Sequence, residues 1–141
     1  MKRFRGINRN LWIPILFVPM IACEIDTSVH HDGKNPPTFT LSGSGGINFL
    51  RIIDITDCTK SLLDCPVVWQ IDPSDGRIRI ADLPRITYGE VPKGFHQTIP
   101  VEGSPPALIE GKIYNVFTPT YGANGGGGRF VIKDGRSLEF P

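Results

Sequence analysis

Cysteine is scarce in this chain: three in 141 residues, with no two in a C-x-x-C pair. That excludes a dense disulfide scaffold, a paired-cysteine zinc site and the two-residue redox motif. No acidic residue precedes Glu24, and no uncharged apolar run reaches the roughly twenty residues that a membrane-spanning helix needs. No window sustains a helical period, which sets aside helix bundles. No Gly-Lys-Ser/Thr follows the glycine run at 125–128, and neither Ser42 nor Ser44 sits in a nucleophile elbow. His96 stands alone, with no serine or cysteine motif to serve. No catalytic constellation is legible, so the reading is of a protein that is not an enzyme.

The amino end is richer. Lys2, Arg3, Arg5 and Arg9 give a basic start, 11–22 is apolar and uncharged, and small Ala22 precedes Cys23. Positive, apolar, small is the order of a secretory signal peptide, here 1–22. Pro14 and Pro19 further weaken any stable buried helix. Met20-Ile21-Ala22-Cys23 resembles the lipobox of bacterial lipoproteins, usually Leu-x-Ala/Gly-Cys, with Met in place of the preferred Leu. The resemblance implies that the Cys23 sulfur receives a diacylglycerol, that cleavage falls before it, and that it becomes the acylated (palmitate-type) first residue. Two or three acyl chains would anchor the protein to a membrane without a protein span. The resemblance also implies a bacterial cell-envelope location. In that family's sorting scheme Asp after the cysteine retains a lipoprotein in the inner membrane. Glu24 stands there instead, which tilts the expectation toward the outer membrane or cell surface.

Four of the fifteen Lys and Arg fall in 1–22, leaving eleven against fourteen Asp and Glu, a formal charge of −3. A faintly acidic domain has no electrostatic footprint for nucleic acid. The 119 residues after the signal suit one domain with one core. Residues 23–37 (CEIDTSVHHDGKNPP) are polar and irregular and read as a flexible tether. The domain is then 38–141.

Cys58 and Cys65, in DCTKSLLDC, form an even pair once Cys23 carries lipid. In an oxidising compartment a disulfide is their default state, and the insert between them can make one helical turn that brings the sulfurs together. A metal site lacks further ligands, including any adjacent His.

The rest of the chain is short apolar runs punctuated by Gly, Pro, Asn and Asp. Strands are predicted at 38–42, 47–55, 67–71, 77–80, 86–91, 95–101, 112–120 and 129–132. The run 47–55 is apolar on both faces, as a central strand would be. Short strands at this spacing predict an all-β, single antiparallel β-sandwich. Leu108-Ile109-Glu110-Gly111-Lys112-Ile113-Tyr114-Asn115-Val116 resembles the Leu-x-x-Gly-x-x-Tyr-x-Val run of fibronectin type III domains, relatives of the immunoglobulin-like sandwiches. By that resemblance the Tyr114 hydroxyl bonds back to upstream backbone, Leu108 packs beneath it and Gly111 makes the turn. Trp69 on a preceding strand is a candidate core partner.

Several motifs are read as structural. Gly125–Gly128 is expected to be a flexible hairpin loop, and Asp72-Pro73-Ser74-Asp75-Gly76 a turn with no calcium-loop spacing. His30-His31-Asp32 is read as solvated tether, not a metal site. No cofactor is implied. The function expected is a non-enzymatic envelope lipoprotein, a binding or structural module with a protein or glycan partner and a membrane anchor at Cys23. The alternative is a small envelope hydrolase or carbohydrate-binding accessory, with Asp72, Asp75, Tyr88 and Tyr121 lining a sugar site. Glycosidase chemistry would require two facing carboxylates.

Overall fold

A computed structural model describes residues 26–59, 61–83 and 85–141. The expected signal peptide at 1–22 and the lipidation site Cys23 lie outside the described residues. The described chain is all-β, and its antiparallel sheets pack as a sandwich without closing into a barrel. The strands are β1 (Ser28–His31), β2 (Thr38–Ser42), β3 (Gly46–Ile47), β4 (Leu50–Asp54), β5 (Val67–Pro73), β6 (Ile78–Arg79), β7 (Ile86–Thr87), β8 (Phe95–Ile99), β9 (Ile113–Thr118), β10 (Thr120–Tyr121), β11 (Gly126–Lys133) and β12 (Arg136–Glu139). A six-stranded sheet runs β12-β11-β9-β4-β5-β8, and a three-stranded sheet runs β1-β2-β7. A third small sheet, β10-β3-β6, closes one end.

The core lies between the two larger sheets, because alternate residues of each strand turn inward. Leu50, Ile52, Trp69, Ile71, Tyr114, Val116, Phe130 and Ile132 come from one sheet and meet Phe39, Leu41 and Ile86 of the other. Phe39 and Phe130 bridge the layers with ring centroids 5.8 Å apart. Trp69 is fully buried, edge-on to Tyr88 at 5.3 Å. Its indole Nε1 donates to Gln97 Oε1 at 3.0 Å, which satisfies the one polar atom of the largest core side chain. The run that is apolar on both faces is central, as expected: β4 pairs with β5 on one side and β9 on the other.

Tyr114 is buried, and its hydroxyl accepts from the backbone N–H of Ile109 at 3.0 Å. Leu108 is buried nearby in the same core, and Gly111 takes a left-handed φ of +79° at the turn between them. The bond from Tyr114 to upstream backbone and the turn at Gly111 are present as expected.

Four expectations are corrected. The segment 23–37 is not a tether from Ser28 onward. β1 pairs with β2 in the register Val29↔Leu41 and His31↔Phe39. The Asp32 carboxylate accepts from the backbone of Lys34 and Thr38, and Ser137 Oγ donates to the Lys34 carbonyl at 2.7 Å. Polar composition hid a strand whose pairing is done by backbone. The glycine run is not a hairpin loop either, since Gly126 to Gly128 belong to β11 and pair with β9. Glycine is required because β1 crosses that strand closely. A Cβ on Gly126 would lie 2.5 Å from the Thr27 carbonyl oxygen. The single strand predicted at 47–55 is broken into β3 and β4 at Asn48, whose N–H donates to the Pro119 carbonyl at 3.0 Å. Finally, β12 follows the turn at 133–136, where no strand was predicted.

The cysteine pair is closed: Cys58 and Cys65 form a disulfide with Cα atoms 5.7 Å apart. A 3-10 turn at Leu62–Asp64 carries the chain back between them.

Candidate binding cleft

The small sheet β10-β3-β6 borders a chemically varied cleft, to which β5 and β8 of the large sheet also contribute. Its registers place Tyr121 opposite Gly46, and Gly46 opposite Arg79. Gly45, at a left-handed φ of +86°, sits where a Cβ would strike the Tyr121 carbonyl. This packing sets Tyr121 beside the turn that follows β5. The result is a cleft of about 370 Å³ lined by Asn48, Asp72, Gly76, Arg77, His96 and Tyr121 among others.

Each side chain is positioned by an identifiable cause. Gln70, Asp72 and Thr98 lie on the face of the large sheet turned away from the core, and Asp72 is the cross-strand partner of His96. Asp72 Oδ1 accepts from Gln70 Nε2 at 2.8 Å and from Thr98 Oγ1 at 3.2 Å. Gln70 is itself fixed by Arg51 Nε, which donates to Gln70 Oε1 at 2.7 Å. The Arg51 guanidinium lies over the Phe49 ring at 4.6 Å. The Asp72 carboxylate therefore ends an ordered chain of polar contacts. His96 Nδ1 lies 3.4 Å from Ser74 Oγ. The Arg77 guanidinium sits 4.3 Å from the centre of the Tyr121 ring, which is 41% exposed.

Of the four residues proposed to line a sugar site, the structure brings two together, Asp72 and Tyr121. Asp75 is exposed in the neighbouring turn. Tyr88 is buried against Trp69, its hydroxyl donating to the Pro106 carbonyl at 2.7 Å. Burial, and then the proximity of Tyr114, push the Tyr88 pKa well above the usual phenol value. Sequence reasoning missed Asn48, Arg77 and His96. Arg77 carried one signal, an arginine just after the Asp-Gly turn. The meeting of His96 and Asn48 with it depends on strand pairing alone.

Chemically the cleft offers donors and acceptors more than a reaction centre. Asp72 is held through Oδ1 by Gln70 and Thr98 and does not hydrogen-bond His96, so it does not orient the imidazole as a triad carboxylate would. His30, His31 and Asp32 do not converge. The His31 ring packs on Phe130 at 5.6 Å and its Nδ1 accepts from the Gly33 N–H at 3.3 Å. Asp32 caps backbone, and among the described residues no three His, Cys, Asp or Glu side chains gather as metal ligands would.

A second cleft of about 630 Å³ follows the seam where β1 crosses β11, lined by Thr27, Val29, His31, Gly127, Arg129 and Phe140 among others. Near the disulfide, Lys112 Nζ donates to Asp54 Oδ2 at 2.6 Å, and Thr56 donates to Oδ1 from both its backbone and its hydroxyl. Burial acts to raise the Asp54 pKa, but these bonds outweigh it and hold the carboxyl below its ordinary value.

Comparison with protein-family models, with curated proteins and with solved structures returned no match.

Proposed function

We propose that this chain is a non-enzymatic lipoprotein of the bacterial cell envelope, an interaction module held to a membrane by acyl chains on Cys23. The observation that carries the reading is the Cys58–Cys65 disulfide, which belongs to an oxidising compartment. It agrees with the basic, apolar, small order of 1–22 and the lipobox-like Met20-Ile21-Ala22-Cys23. A binding role is supported by the cleft at β10-β3-β6, whose Asp72 carboxylate is positioned through one oxygen by Gln70 and Thr98.

The test is processing. In a bacterial host, globomycin should accumulate the uncleaved precursor. Wild-type protein should enter the detergent phase on Triton X-114 partitioning, and Cys23→Ser should stay in the aqueous phase. A Cys23→Ser protein that still fractionates with membrane would sink the anchor. Free thiols at both Cys58 and Cys65, in material prepared without reductant, would remove the compartment argument.

A further inference from the structure

Three features of the β10-β3-β6 cleft are unaccounted for by folding alone. Among the described residues the side-chain amide of Asn48 makes no hydrogen bond, although its backbone is fixed to Pro119. The Arg77 guanidinium has neither an ion pair nor a hydrogen bond there, and only the Tyr121 ring holds it. Asp72 is held through Oδ1 alone, which leaves Oδ2 for another donor. Polar groups ordered by their neighbours, yet unspent, are what a ligand site requires.

The mixture narrows the ligand. Asn48 supplies both a carbonyl and an NH₂, Arg77 only donors and Asp72 only acceptors. Arg77 and Asp72 cancel in charge, so the cleft has no net preference for an anion or a cation. An aliphatic hydroxyl is donor and acceptor at once, and two neighbouring hydroxyls on a ring use a fork of each kind. The partly exposed Tyr121 ring, which also holds the Arg77 guanidinium, adds an aromatic surface that the C–H groups of a sugar ring can pack on. The volume of about 370 Å³ lies within the roughly 300–1,000 Å³ of small-ligand pockets.

We infer that this cleft binds a neutral saccharide. Asp72 Oδ2 accepts from one hydroxyl of a vicinal pair. The Arg77 and Asn48 N–H groups donate to its neighbours, and His96 lines the same cleft. Gln70 and Thr98 are positioning residues, since they hold Asp72 without facing the cleft's ligand. The inference names a ligand class for the interaction module proposed above, but the cleft does not depend on the anchor.

The experiment is titration calorimetry of the purified full-length chain with three probes: maltotriose, cellotriose and the N-acetylglucosamine trimer. Binding of at least one is expected. Arg77→Ala, Asp72→Asn and Tyr121→Ala should each weaken it by roughly tenfold or more, the scale of one lost hydrogen-bonding or stacking group. Arg77→Lys keeps the charge and loses the flat fork, and should weaken binding comparably. Glu139→Gln, at the far seam, should leave affinity unchanged. Two-dimensional amide NMR of each variant confirms the fold and reports shifts at Asn48, Arg77 and Tyr121. Failure of all three probes to produce heat or cleft shifts overturns the inference, as does binding that survives the cleft variants. Cys23→Ser should leave saccharide affinity intact, so loss of the anchor and loss of this site are read separately.

Discussion

The Tyr114 hydroxyl accepts a hydrogen bond at 3.0 Å from the backbone N–H of Ile109, five residues upstream. It pins the turn at Gly111 to the buried face of β9, where the Tyr114 ring also stacks on Phe130 at 5.6 Å. Tyr114→Phe keeps the ring and removes the acceptor, at an expected cost of about 1–3 kcal/mol. Tyr121→Phe, at an exposed ring whose hydroxyl has no partner among the described residues, should stay within about half a kcal/mol. Urea unfolding of the two variants separates these outcomes. Equal small effects would mean that the Tyr114 bond contributes nothing.

The disulfide closes a short loop. Replacing both Cys58 and Cys65 by Ala should lower stability by about 2.5 kcal/mol at most, the chain-entropy value for so few residues. Mass spectrometry of unreduced protein should find the two peptides joined, and denaturant midpoints give the cost. A loss far above that value would mean that the loop supports more of the core than its contacts indicate.

The glycines of β11 are not equivalent. Gly126→Ala sets a methyl 2.5 Å from the Thr27 carbonyl oxygen and 2.9 Å from its carbon, both backbone atoms that side-chain motion cannot clear. A loss of about 1–3 kcal/mol is expected, with β1 displaced. At Gly128 the nearest atom is the Val29 carbonyl oxygen at 3.8 Å, and φ is not left-handed, so Gly128→Ala should be neutral or slightly stabilising. Thermal midpoints of the pair test whether β1 crosses where the structure places it.

Acid should weaken the fold through Asp54. Its folded pKa is lowered: burial opposes this, but the bonds from Lys112 and Thr56 prevail. A depressed folded value contributes stability above the unfolded pKa of about 3.9 and loses it as pH falls through the folded one. The Asp54 side chain is 13% exposed and that of Lys112 35%, so solvent screens the pair only in part. Lys112→Met should therefore flatten the decline of unfolding midpoints below about pH 4, with Asp32 still contributing its own share. An unchanged slope would mean that the bridge carries no linkage.

What could be read from the sequence was what is local. Alternation gave the short strands, two apolar faces marked β4 as central, and two cysteines seven residues apart foretold their bond. β1 was unreadable because its sequence, SVHH, has one apolar residue and the strand it packs across, β11, lies far along the chain. The glycine run looked loose for the same reason. At Gly126 the space of a side chain is taken by the Thr27 backbone, far off in the sequence. The cleft was half legible: Asp72 and Tyr121 are the residue types a sugar site uses, but Asn48 and Arg77 join them beside the β10-β3-β6 pairing and His96 through the β5-β8 pairing, which no local pattern encodes.

The crossing of β1 over β11 joins the two extremes of the fold. Asn124 Nδ2 donates to Asp26 Oδ1 across 98 residues, and Ser137 Oγ reaches Lys34 and His31 across 103 and 106. Contacts of such range require a long loop to close before they return any stability, which slows folding. A chain delivered amino end first cannot seal this seam until residues 124–137 have followed it. The sandwich thus has a built-in delay: β1 can pair with β2 early, but its crossing with β11 must wait.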